Sequence, residues 1–269
     1  MVKIKDINDP DEVRKVPRIE GIVWGTNEVT PYHVFIAGKY AGGVLKGAYV
    51  DDKLIGYVFG IPGIYKGKLC HYSHQLAVLP EYRNMGVGEK LKFAQREECL
   101  KKGLDLVIWT YDPLQSLNAY FNIRKLSVIV QTYLINHYGE MGDEINRGLP
   151  SDRFLAEWWI KSDWVINRAI KRRKEYFINE IPESIIKVEV RKFPIPVEKR
   201  DLSGKMISVP IPINISQIKI EDIELARKWR YITREIFTKL FNEEYAVIDY
   251  VVNKDEDLGY YILKRVFKP

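Results

Sequence analysis

Arg83-Asn84-Met85-Gly86-Val87-Gly88 is the stretch of this sequence best suited to chemistry. It stands behind Tyr72 to Val78, where Tyr72, His74, Leu76 and Val78 alternate with Ser73, Gln75 and Ala77 at the two-residue period of a strand that Pro80 ends. It leads into a helix with Val87, Leu91 and Ala94 on one face, closed by Gly103 behind Lys101 and Lys102. N–H groups that open a helix lack backbone partners, and glycines let an anion come close. Strand, loop and helix start together therefore suit a phosphate or pyrophosphate. Neither common nucleotide fingerprint fits. A Rossmann loop needs a third glycine where Leu91 stands, and a P-loop needs Gly-Lys-Ser/Thr where Gly88 is followed by Glu89 and Lys90. The plain alternative is a turn that merely joins strand to helix.

Composition narrows the classes around that loop. The 269 residues are 46% hydrophobic, enough for one large or two modest domains with real cores. No apolar run reaches the ~20 residues of a membrane span, and MVKIKDINDP lacks the apolar segment of a signal peptide. The expectation is a cytoplasmic protein with no membrane partner. Cys70 and Cys99 have no ligand spacing and read as core thiols, so no metal is expected. Net charge +6 and a pI near 9.0 suit an anionic ligand. Charges of both signs are interspersed along most of the chain, which argues against a dedicated nucleic-acid binder. The exception, Lys171-Arg172-Arg173-Lys174, shares its stretch with Glu175 and Glu180 and reads as a solvated helix face.

The elements that must position the loop follow in order. A strand near Val2 to Asp6 starts the chain. Asp9-Pro10 opens a helix that Pro17 interrupts and Gly25 ends, with Val13, Val16, Ile19 and Val23 on its apolar side. Thr30-Pro31 reads as the cap of a further helix running to Gly42-Gly43. Val44 to Val50 and Lys53 to Gly60 form a hairpin about Asp51-Asp52, and Ile61 to Lys68 reads as a loop into the central strand. Beyond the central helix come a buried parallel strand, Leu104 to Trp109, a helix from Leu114 to Lys125, and a strand, Val128 to Leu134. Phe154 to Ile160, behind a Ser151-Asp152-Arg153 turn, supplies its hairpin partner.

This element order, with Val78-x-Pro80 and the Arg83-x-x-Gly86-x-Gly88 loop, resembles the GCN5-related N-acetyltransferase (GNAT) superfamily and its motif A. The resemblance covers roughly residues 1–160 by element order, and only the loop is specific. It implies an α/β fold with a mixed, mostly antiparallel central sheet flanked by helices, and acetyl-CoA or another acyl-CoA as co-substrate. By position it gives the pantetheine arm to Leu76, Ala77 and Val78, and the oxyanion of a tetrahedral intermediate to the N–H near Val78. The pyrophosphate falls to Arg83, Asn84, Met85, Gly86, Val87, Gly88 and Glu89, with Arg83 adding charge. The first helices would wall the acceptor side, where Trp24, His33 and Tyr40 serve either specificity or packing.

Acyl transfer to an amine needs a base for the ammonium proton and an acid for the leaving thiolate. Many relatives close the helix after the fifth strand with Tyr-x-x-x-Gly-Phe; here Ile123 stands where the tyrosine would be. Tyr120, one turn earlier, is the substitute acid, with core packing as its alternative, and Asn118 is placed to bond the pantetheine or the thiol. His74 is the first candidate base, since it shares a strand face with Leu76 and Val78. A satisfied structural histidine is the competing reading. Asp112, at the end of the parallel strand, is the second, although Asp112-Pro113 also reads as a turn and cap. His137 and Tyr138 come third, and a water chain to a distant carboxylate would serve equally.

WTYDPLQSLNAYFNIRKL, NHYGE and SDRFLAEWW together resemble a GNAT subgroup that carries an extra C-terminal region. That resemblance implies a small amine-bearing acceptor, an amino acid among them, with Arg124, Arg147 or Arg153 available to pair a carboxylate. The expected division is a catalytic domain, 1–160, and a C-terminal α+β extension, 161–269, built as a partial GNAT-like unit without a second glycine loop. In the extension, Asp163 to Asn179 reads as a helix, Ile185 to Lys192 as a strand, and Phe193 to Pro212 as a Pro-rich linker and edge segment. Ile220, Ile223, Arg227, Trp229, Ile232, Ile236, Phe237, Leu240 and Phe241 stripe one long amphipathic helix before two strands, Tyr245 to Val252 and Leu258 to Phe267. Covering the sheet edge, completing the acceptor pocket and building a homodimer are its candidate roles. A catalytically silent acyl-CoA-binding module and a nucleic-acid-directed acyltransferase are the alternatives to an N-acyltransferase of small amines.

Overall fold

The computed structural model describes residues 1–26, 29–142, 147–171, 176–201 and 204–267. They divide into two compact units, the first built on Met1–Trp109 with Trp159–Lys161, the second beginning at Thr110.

In the first unit β1 (Lys3–Asp6), β2 (Val44–Val50), β3 (Lys53–Tyr65), β4 (Lys68–Val78) and β5 (Leu106–Tyr111) lie side by side in that order. All neighbours are antiparallel except β4 and β5, which run parallel, so the sheet is mixed and mostly antiparallel. Helices cover both faces. On one, α1 (Pro10–Val13), α2 (Val16–Trp24) and α3 (Tyr32–Tyr40) bury Val13, Val16, Ile19 and Phe35 against Tyr49, Tyr57 and Phe59. On the other, α4 (Val87–Lys101) buries Val87 and Leu91 against Ala48, Ile55 and Val58. Asp9 caps α1 through Asp11 N–H (2.9 Å), and Gly25 ends α2 at φ 62°, both as the sequence indicates.

Two local expectations fail. The stretch Ile61 to Lys68 is not a loop: β3 continues to Tyr65, and only Lys66-Gly67 turn the chain, at φ 49° and 76°. A bulge between Phe59 and Ile61 absorbs Gly60, where a Cβ would lie 2.3 Å from His71 Nε2. Thr30 does not cap α3 either. Pro31 holds that position, and the Thr30 hydroxyl and N–H both turn to Glu20.

In the second unit β7 (Arg153–Trp159), β6 (Ile129–Leu134), β11 (Tyr245–Asn253), β12 (Leu258–Arg265) and β10 (Met206–Pro212) follow one another, each pair antiparallel. β8 (Ile186–Val190) and β9 (Pro194–Lys199) form a separate hairpin. The expected Pro-rich linker thus supplies two strands. Pro210 and Pro212 are tolerated in β10 because it is an edge strand, paired on one side with β12. The expected helix from Leu114 to Lys125 is α5 (Ser116–Ala119) followed by a π turn, Tyr120–Lys125. That from Asp163 to Asn179 is α6 (Asp163–Val165), a π turn over Ile166–Ile170, and a 3-10 turn at Ile178–Glu180; Arg172, Arg173 and Lys174 of the basic run lie outside the described residues.

The long amphipathic helix is two. α7 (Ile215–Glu221) ends at Asp222, which caps α8 (Ile223–Asn242) by accepting from Leu225 N–H (2.9 Å). Ile220 is therefore exposed, while Trp229, Ile236, Phe237 and Leu240 form the buried stripe. Among the described residues no helix is long and apolar enough to cross a membrane.

Candidate active site

β4 delivers its backbone to the glycine loop with one edge unpaired. Its parallel ladder with β5 is registered, among the described residues, only at His71 with Val107 and Tyr72 with Ile108. From Ser73 onward the two strands part. On the other side Leu79 N–H donates to Ile55 O (2.9 Å) across β3. Alternation along an extended antiparallel strand then directs Ala77 N–H to β3, and Leu76 and Val78 N–H into the gap. Of the three residues expected to meet the pantetheine, Leu76 and Val78 thus present backbone donors, and Ala77 is a 1% exposed core residue.

The chain leaves β4 through a 3-10 turn, Pro80–Tyr82, which uses Tyr82 N–H on Leu79 O (2.9 Å) and Arg83 N–H on Pro80 O (3.2 Å). The Arg83 backbone donor is therefore spent. Its exposed side chain keeps the charge and donates Nε to Val78 O (3.4 Å). Asn84 (φ 62°) and Gly86 (φ 74°) take left-handed conformations that swing the loop into α4. No side chain caps that helix, and its first N–H groups, at Val87, Gly88 and Glu89, have no carbonyl within it. Met85 points outward, 58% exposed.

A polar cluster on the α2 side of β4 escaped the sequence reading. Glu20, 6% exposed, accepts from Thr30 N–H (3.0 Å), Thr30 Oγ1 (3.0 Å) and Gln75 Nε2 (2.7 Å). Gln75 Oε1 in turn accepts from Tyr57 Oη (2.8 Å). These three donors to the buried carboxylate are uncharged. Burial, then the Glu20 charge, push the Tyr57 hydroxyl well above its ordinary range. His74, next to Gln75, lies beside Phe59 and Tyr72 (6.3 and 6.4 Å between centroids). Its ring reaches solvent, yet crowding by its neighbours lowers its pKa, with Glu20 pulling the other way. The signal for Glu20 was available: it follows Val16 by four residues, on the buried side of α2.

The remaining candidates belong to the second unit. Asp112 is committed on both oxygens, Oδ1 to Leu114 N–H (2.8 Å) and Oδ2 to Arg230 Nη2 (2.7 Å), with 8% of the residue exposed. Tyr120 is half-buried at the first position of the π turn, and Asn118 is exposed on α5. The π turn takes Tyr120 and Ile123 off a common face, Ile123 being fully buried. His137 and Tyr138 are exposed, with Tyr138 Oη 2.7 Å from Thr110 Oγ1. Of the arginines considered for a carboxylate, Arg124 is held by Asp249 Oδ2 and Tyr176 O (both 2.5 Å), and Arg153 by Asp152 O (2.9 Å); Arg147 is exposed.

The acetyltransferase (GNAT) family model matches residues 12–121, from α1 through the glycine loop to the π turn. Residues 12–121 are a GNAT acetyltransferase domain. A domain of this family indicates acyl-CoA-dependent N-acetyltransferase activity, and the match spans less than half of the chain. Among solved structures the chain is similar to Arabidopsis thaliana Naa50 in complex with the bisubstrate analogue CoA-Ac-MVNAL: 18% identity and TM-score 0.47 over 58% of this chain and 97% of that one. It is similar to the ribosomal-protein-S18-alanine N-acetyltransferase from Escherichia coli, with 15% identity and TM-score 0.48 over 66% and 100%. A third is yncA from Salmonella typhimurium with its cofactor acetyl-CoA, with 12% identity and TM-score 0.47 over 60% and 95%. No curated protein matches the sequence significantly.

Proposed function

We propose that this protein moves an acyl group, acetyl in the simplest case, from acyl-CoA to the primary amine of a small molecule, amino acids included. The observation that carries the reading is the unpaired edge of β4 running from Ser73 to Val78 into the uncapped start of α4. In this reading the N–H groups of Leu76 and Val78 bond the pantetheine arm and the thioester carbonyl, and those opening α4, with the Arg83 charge, take the pyrophosphate. Attack by the neutral amine forms the C–N bond as the carbonyl pair moves onto oxygen, where Val78 N–H stabilises it by about 3 kcal/mol. Collapse breaks the C–S bond, the thiolate takes a proton from Tyr120, and the extra proton on the new amide nitrogen returns to the Tyr120 oxygen.

The ammonium proton goes to His74, which a lowered pKa keeps neutral and receptive at pH 7, or to Glu20, whose uncharged donors leave its charge to attract a cationic acceptor. Asp112, held by Arg230, is assigned to structure rather than to the base. The catalytic domain is taken as 1–160 and the extension as 161–269, serving the acceptor side or a homodimer, in the cytoplasm.

The test is a turnover screen of amines, amino acids and short peptides with acetyl-CoA. Native protein is expected to acetylate a small amine, and Glu20→Gln to lower kcat/KM on the order of 10²-fold, the scale of a lost acid–base or charge contribution. CoA binding without transfer to any acceptor would favour the second reading, a silent acyl-CoA-binding module, which Ile123 in place of the family's tyrosine motivates.

A further inference from the structure

Beneath the point where β4 and β5 part, α4 sends up a lysine. Lys92 is 2% exposed, and its Nζ donates to Ser73 Oγ (3.0 Å) and Gln95 Oε1 (2.9 Å). It also lies 3.6 Å from the centroid of the Trp109 ring. Ser73 follows Tyr72, the last β4 residue in the parallel ladder, and Trp109 follows its partner Ile108. One further rung of the ladder would pair Ser73 with Trp109. The two side chains are instead bridged by the Lys92 amine.

We propose that Lys92 is a positioning residue: its ammonium pins β4 away from β5 and so keeps the acyl-CoA slot open, coupling CoA affinity to its charge state. This rests on the acyl-CoA reading of the β4 edge. An ammonium over an indole face and on two polar oxygens gains the most when desolvated, and a neutral amine forfeits the cation–π part.

Polar and titratable groups face Lys92 from its own helix and from β4. β4 contributes His71 and Ser73. Gln95 Oε1 accepts from Ser73 Oγ (3.0 Å) while its Nε2 sits 3.1 Å from His71 Nε2, the arrangement of an amide donating to a neutral imidazole. α4 adds Cys99, and Arg96, which is turned away to Ile160 O (2.7 and 3.0 Å). Lys102, just past the end of α4, acts with Lys92 on His71; Lys46 of β2 is held by Asp6 (2.7 Å) and Glu98 (3.3 Å). Burial lowers the Lys92 pKa to about 7, with Cys99 opposing, so the pin changes charge near neutrality.

The experiment titrates the full chain calorimetrically with dephospho-CoA, whose pyrophosphate diester has no group ionising near neutrality, from pH 6 to pH 9. Native protein is expected to bind on the order of tenfold more weakly at the alkaline end, a factor within reach of a buried cation–π contact. Lys92→Met, which keeps the packing but not the charge, is expected to bind weakly at every pH with a flat profile, its thermal melt remaining cooperative. A native profile that is flat, or a Lys92→Met profile that follows the native one, overturns the pin while leaving the acyl-CoA reading intact. Failure of native protein to bind CoA at any pH overturns that reading and the pin with it. Should Lys92→Met not fold, the native profile decides, together with the Nζ titration followed by lysine side-chain NMR, where no titration between pH 6 and pH 9 counts against the pin.

Discussion

Gly60 shows how closely single atoms are fitted around β4. A Cβ there would lie 2.3 Å from His71 Nε2 and 2.6 Å from Tyr72 O, and the carbonyl cannot swing away as a flexible side-chain end would. Gly60→Ala is expected to cost about 1–3 kcal/mol in urea unfolding, the range for overpacking. His71 sets an acid limit. Burial, and then the Lys92 and Lys102 charges, depress it from 6.5 to about 3. Between those values the unfolded chain holds the extra proton, so stability is lost as pH falls from about 6.5 toward 3. Lys92 has the same sign on the alkaline side: stability rises with pH between about 7 and 10.5, where only the unfolded chain keeps its lysine charged. Melting temperatures across both windows, in native protein and in Lys92→Met, check both statements; the variant is expected to lose the alkaline slope and, with one charge on His71 removed, to keep a narrower acid one. At this scale the sequence announced the tight turn into α4, because Gly86 accepts the positive φ that the turn requires. It concealed the Glu20 cluster, because Thr30 before Pro31 looked like a cap and Gln75 like an ordinary outward strand residue.

Elements were legible where period and punctuation agree. β2 and the first half of β3 about Asp51-Asp52, and α4 between Gly86 and Gly103, stand where alternation, helical spacing and turn residues place them. The failures share a cause: a local signal outweighed by pairing that sequence does not display. The prolines of Phe193 to Pro212 indicate a linker and edge segment; the edge half holds, since β10 ends the sheet beside β12, and the linker half fails because β9 and β10 are strands. The apolar stripe ran through Asp222 without a break, although a helix start leaves N–H groups that a carboxylate satisfies. Asp222→Ala is expected to lower stability by about 1 kcal/mol, the usual worth of a cap, measured by denaturant unfolding. The π turn at Tyr120 had no sequence signal at all. If Tyr120 serves as the acid, Tyr120→Phe lowers kcat with the KM for acetyl-CoA unchanged; an unchanged kcat would return Tyr120 to packing.

For the whole molecule, the chemistry and the folding units divide the chain differently. Residues 110–158 contact residues beyond 161 within the second unit: Asp112 is paired with Arg230, Asp152 with Arg234, Arg124 with Asp249, and Val130 with Val247 in the sheet. A fragment ending at residue 160 would strip Asp112, Asp152 and Arg124 of these charged partners and β6 of its neighbour β11. It is expected to be insoluble or to lack a cooperative melt, although it holds every residue assigned to the CoA loop. Net charge +6 adds a long-range pull on an anionic co-substrate, one that salt weakens. The proposed acyl transfer requires the Arg83 to Gly88 loop to hold CoA. Calorimetric titration of native protein with CoA and acetyl-CoA, beside Gly86→Glu, tests it most directly. Gly86 sits at φ 74° with open space about it, so glutamate brings backbone strain and a negative charge to the loop without a core clash. Saturable binding by native protein, abolished in a variant that still melts cooperatively, is the predicted result; equal binding by both, or none by well-folded native protein, would contradict it.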